Sequence, residues 1–156
     1  MNRERTLRRR IKLLTGLFMA GLILSGATAI PLPQELNLLV NRFGFSGEWF
    51  SRVNDALAQT RAQHPFLFYG TDWLAFGHFV IAITFIGAWR DPVRNRWLFD
   101  FGLIACALVI PYALIFGGVR GIPVWWRLID CSFGIFGFIP LWFCRKWAKE
   151  LESVKS

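Results

Sequence analysis

WLFDFGLIACALVIPYALIF, residues 97–116, carries a single charge, Asp100, and the reading of that stretch decides the fold. The hydrocarbon core of a bilayer takes about 20 largely apolar residues of α-helix, and the proline at 111 is tolerated in a membrane helix as a kink. Three other stretches answer to it. Residues 13–32 have no charge at all. Residues 73–89 follow Thr71-Asp72, a pair suited to cap a helix N-terminus and favour its dipole, and stop at Arg90-Asp91-Pro92. Residues 124–144 are the unusual ones, because Arg127 and Asp130 lie within them. A chain of 156 residues that is 54% hydrophobic and 17% aromatic exceeds what a soluble core of this size can hide, so a second apolar solvent is required. The expected fold class is all-α: a four-helix transmembrane bundle, one membrane domain over residues 1–156, with one amphipathic external helix.

Orientation follows from Lys and Arg in the short connections, since cytoplasmic segments retain positive charge. Of eighteen such residues, thirteen fall in three segments. The N-terminus has Arg3, Arg5, Arg8, Arg9, Arg10 and Lys12, loop 90–96 has Arg90, Arg94 and Arg96, and the C-terminus has Arg145, Lys146, Lys149 and Lys155. Both termini and loop 90–96 are therefore expected in the cytoplasm, with segment 33–71 and loop 117–123 outside. Trp73, Trp125 and Trp126 mark the outer interface in this frame, and Trp89, Trp97, Trp142 and Trp147 the inner one. Within segment 33–71, Trp49, Phe50, Val53, Ala56 and Leu57 recur at helical spacing opposite Arg52, Asp55 and Gln59, which predicts an amphipathic helix on the outer end of the helices or in the head-group layer.

A basic start, an apolar run and Ala27-Thr28-Ala29 also resemble a secretory signal with its cleavage site. The run continues through Leu32, longer than a signal core, and Gly21, Ser25 and Ala29 form a small-residue stripe that suits close helix approach. An uncleaved first helix is expected; a mature N-terminus at Ile30 is the alternative.

Several chemistries find no motif. Cys106, Cys131 and Cys144 are odd in number, form no CxxC pair and lie in or at the edge of apolar runs, which argues for packing rather than disulfide or redox work. His64 and His78 have no ligand-spaced partner for zinc. One membrane-embedded histidine gives a monomer no bis-histidine haem site, although a dimer supplies a second His78. No cofactor is expected. Neither a phosphate-binding loop nor a nucleophile elbow occurs, and the glycine-rich 117–121 reads as a turn rather than an anion cradle. The formal charge of +8 is spread between apolar blocks rather than gathered on one face, so nucleic acid is not an expected partner; membrane lipids are.

An ionisable residue inside a membrane segment is expensive and points to function. His78, Tyr112, Arg127 and Asp130 reach similar depths near the outer face at the α-helical rise. Arg127, Asp130, Gly134 and Gly137 share one helix face, and Thr71, Ala75, His78 and Ala82 another, so the two faces are expected to pack together and bring His78, Arg127 and Asp130 into contact. One reading is a ligand or proton site; the other is an Arg127–Asp130 pair at i, i+3 that fixes helix register. At the inner face, Asp100 is within reach of Arg94, Arg96 and Arg145.

The runs 69–78 (YGTDWLAFGH) and 120–131 (RGIPVWWRLIDC) resemble an uncharacterised group of small bacterial four-helix integral membrane proteins. That resemblance, over residues 69–144, implies a bacterial inner-membrane setting and no particular activity. The sequence favours a non-enzymatic accessory or interaction subunit, with a homo-oligomer or another membrane protein as partner. Two alternatives stand beside it: a protein or enzyme binding a lipid- or quinone-like ligand through the outer His/Arg/Asp cluster, and an oligomeric proton-coupled transporter using Asp130.

Overall fold

The computed structural model describes residues 2–42 and 47–155. Residues 43–46 of the expected external segment lie outside that description. The elements are α1 (Asn2–Ala29), α2 (Leu32–Arg42), α3 (Glu48–Gln63), a 3₁₀ turn (Pro65–Phe68), α4 (Tyr69–Thr84), α5 (Ile86–Arg90), α6 (Arg96–Val119) and α7 (Val124–Lys155). The fold is all-α, with no strand among the described residues. Among the described residues, four helical stretches are long and apolar enough to cross a membrane: Arg3–Ala29, Pro65–Arg90, Arg96–Val119 and Val124–Ser153. Along α6, Ile104, Leu108, Tyr112, Ile115 and Val119 stand exposed at helical spacing; such a stripe fits lipid and would be untenable as a surface in water. This is a membrane protein.

The helices overrun their apolar cores for local reasons. The basic start of the chain continues α1, helped by Arg8 bonding Glu4 at 2.9 Å one turn away. The helix stops at Ala29, short of Leu32, because Pro31 cannot continue it. Glu35 then donates its N–H to the Pro31 carbonyl at 2.9 Å as α2 begins. Pro33 and Glu35 are start signals for α2 that the hydropathy pattern does not reveal. The second long helical stretch opens at Pro65, ahead of Trp73, since proline suits the first helical position. Thr71 is therefore inside the helical stretch, and its hydroxyl donates to the Phe68 carbonyl at 2.7 Å instead of capping an N-terminus. Between α6 and α7, Gly121 takes φ +68°. Ile122 N–H reaches the Gly117 carbonyl at 2.8 Å and Gly121 N–H the Gly118 carbonyl at 3.1 Å. This is a Schellman cap, so the glycine-rich loop serves to end a helix.

The chain forms two compact units, residues 1–19 with 83–156, and Ala20–Ala82. In the first, Leu7, Ile11, Phe85, Leu98, Phe99, Leu141, Cys144, Ala148 and Leu151 form the core. Phe18 lies tilted on Phe85 with ring centroids 4.9 Å apart. Glycines let α6 and α7 meet: a Cβ on Gly134 would come within 2.6 Å of the Cys106 carbonyl oxygen, and one on Gly102 within 2.6 Å of Leu141. Thr15 is fully buried and sits 3.7 Å from the Cys144 sulfur. All three cysteines are free and buried.

The end of this unit that holds both termini is basic and aromatic. Lys12 lies over Trp89, Arg10 over Trp147 and Lys146 over Trp142, at 4.9, 5.7 and 5.6 Å from the ring centres, as cation–π attraction favours. Arg3 meets Glu150 at 2.7 Å. In the second unit, α1 approaches α4 through Gly26, where a Cβ would lie 3.0 Å from both the Ala75 carbonyl oxygen and His78 Cβ. The expected stripe of Gly21, Ser25 and Ala29 does not make that approach: Gly21 has open space around it and Ser25 is exposed. α3 has no fully buried residue: of the expected apolar face Trp49, Phe50, Val53 and Leu57 are half-buried and Ala56 is exposed, as are Arg52, Asp55 and Gln59.

Candidate functional site

Two of the polar residues singled out in the sequence, Tyr112 and Asp130, line one groove between α6 and α7 in the first unit. Its walls are Ala105, Leu108, Val109, Ala113, Phe116 and Gly117, with Arg120 and Ile122 also in the lining; its volume is about 720 Å³. Tyr112 stacks on Phe116 with centroids 4.5 Å apart. Asp130 is half-buried and makes no ion pair or hydrogen bond with another described residue. Arg120 belongs to this site and was not anticipated, because its place depends on the turn at Gly121.

Arg127 does not pair with Asp130. Its side chain folds over the end of α6, where a Cβ on Gly117 would come within 2.6 Å of Arg127 Cγ and Cδ. Its Nη1 donates to the Leu114 carbonyl at 3.3 Å, and its buried Nε has no hydrogen-bond partner. The physical reason is the neighbouring helix C-terminus: two glycines leave a slot there, and the carbonyl end of a helix dipole attracts a guanidinium.

His78 belongs to the second unit, on the face of α4 that also carries buried Ala75 and Ala82. Its Nδ1 is 2.8 Å from the Leu74 carbonyl oxygen. Since a carbonyl only accepts, Nδ1 bears the proton, and in the neutral ring Nε2 is left as an acceptor.

The residues expected at the inner face divide differently from a single cluster. Asp100 receives Arg145, and Arg96 pairs with Glu152 one helix away. Arg94 contributes a backbone N–H to Asp91 Oδ1 at 3.1 Å, within a turn that Asn95 closes by donating to the Gly87 and Asp91 carbonyls at 3.0 Å each. Among the described residues no three His, Cys, Asp or Glu side chains gather to hold a metal ion. Comparison with protein-family models, with characterised proteins and with solved structures finds no match to this chain.

Proposed function

We propose that the protein is a non-enzymatic interaction subunit of the bacterial inner membrane, and that the α6–α7 groove docks a transmembrane helix of a partner membrane protein. Asp130 carries this reading. A carboxylate among apolar walls is costly in a bilayer unless a donor meets it, and no described residue of this chain does so. Ala105, Ala113 and Gly117 in the wall are small, which allows another helix backbone to come close. A Lys, Arg, amide or hydroxyl on that helix would satisfy Asp130. Native mass spectrometry of the protein extracted in mild detergent should reveal a second polypeptide. Asp130→Ala should weaken that complex roughly three- to fifteen-fold, as loss of one interhelical hydrogen bond in a membrane does. A complex containing two copies of this chain would make the partner helix its own, and a monomer without adduct would sink the proposal.

Tyr112 and Arg120 favour one second reading, an amphipathic ligand whose polar head meets the rim of the same groove. A monomer that retains a small-molecule adduct, lost on Asp130→Ala, would select it.

For orientation, the reading is that both termini are cytoplasmic. The thirteen-to-five division of positive charge supports it, and the Arg3–Glu150 ion pair is consistent with it. Single cysteines at Gly47 and Gly118, in a cysteine-free background, should react with an impermeant maleimide added to intact spheroplasts, and one at Asn95 should not. The opposite pattern inverts the topology.

A further inference from the structure

The second unit contains a cleft between α2 and α3 that is unrelated to the α6–α7 groove. Pro33, Gln34, Asn37, Leu38, Asn41 and Arg42 line it from α2, and Asn54, Ala58, Arg61 and Ala62 from α3; its volume is about 830 Å³. We propose that this cleft binds the phosphate of an anionic phospholipid head group.

Charge is the first argument. The lining holds two guanidiniums and no carboxylate, and neither Arg42 nor Arg61 forms an ion pair or hydrogen bond with another described residue. Glu35, Glu48 and Asp55 belong to the same two helices but are not part of the lining. Guanidinium groups bind phosphate oxygens through paired N–H donors. The amides of Gln34, Asn37, Asn41 and Asn54 add neutral donors of the type that completes a phosphate's hydrogen bonding.

Position is the second argument. α2 begins three residues after Ala29, the end of one span, and α3 ends two residues before Pro65, the start of the next. Both helices are thus tied to the ends of stretches able to cross a membrane, and in a bilayer such ends meet the layer where lipid phosphates are concentrated. The apolar part of the lining, Pro33, Leu38, Ala58 and Ala62, suits the glycerol and first acyl carbons of a lipid and has no use for a bare phosphate ion.

The test compares wild type, Arg42→Gln with Arg61→Gln, and Arg52→Gln, all as full chains in detergent. Arg52 is on α3 outside the cleft, so its loss reports charge alone. Titration with phosphatidylglycerol, followed by native mass spectrometry, should show the double variant binding at least about tenfold more weakly, with Arg52→Gln and phosphatidylcholine retention unchanged. The basic residues of the other segments are common to all three forms and set a shared background. The replaced side chains are exposed, and unchanged helical circular dichroism would verify folding. Equal weakening by Arg52→Gln, or no weakening in the double variant, overturns the site. Displacement of the lipid by millimolar inorganic phosphate would overturn the lipid as the source of the phosphate.

Discussion

Gly134→Val should force α6 and α7 apart and lower the stability of the detergent-solubilised protein by about 1–3 kcal/mol or more. The first atom added, a Cβ, would sit 2.6 Å from the Cys106 carbonyl oxygen and 3.4 Å from Val109 Cβ. A flexible side chain can swing away from such a clash, but a helix carbonyl cannot move without its helix. Close approach of this kind is what holds membrane helices together, since lipid leaves no hydrophobic drive between them. Gly77→Ala is the control, because a Cβ there has nothing within 4 Å; it should be neutral or slightly stabilising through helix propensity. Thermal unfolding followed by circular dichroism reads both. A wild-type melting curve for Gly134→Val would mean that the two helices do not meet at this point.

Phe85→Ala should be the most damaging apolar truncation. Phe85 is fully buried, lies on the Phe18 ring at 4.9 Å, and fills the space that Gly102 leaves open, where a Cβ would be 2.9 Å from Phe85 Cζ. In water-soluble proteins such a change costs about 3–5 kcal/mol, part of it transfer and part the cavity. In a bilayer the unfolded chain keeps its phenylalanine in lipid, so the transfer part largely cancels and the loss of contacts remains. The expected cost is thus below the soluble range but well above that of Ile104→Ala, whose side chain is exposed along α6. Equal costs for the two would show that burial at Phe85 contributes no contact energy.

Both results depend on packing details that one-dimensional patterns carry unevenly. The four spans were legible because about twenty apolar residues in a row have only one economical solvent, and the charge asymmetry could be counted directly. The Gly102, Gly134 and Gly137 contacts were partly visible: Gly134 and Gly137 share a small-residue face of α7, yet nothing in that face says it meets Cys106. The stripe at Gly21, Ser25 and Ala29 looked equally good and is not used; Gly26 is.

The sequence by itself determined that this chain is helical, that four of its stretches can cross a membrane, and which charges fall inside them. Those properties are local sums over consecutive residues, and no neighbour can cancel them. The tertiary structure decided what polar groups meet beyond their own helix. Arg127 and Asp130 are three apart on one helix, but the Schellman turn at Gly121 brings the glycine end of α6 beside Arg127, and that slot wins the guanidinium over the carboxylate. Arg96 takes Glu152, fifty-six residues away, by the same rule. A partner outside a side chain's own helix is set by whichever chain segment folds alongside it, and helical periodicity, which relates a residue only to its own helix, has no information about the next one.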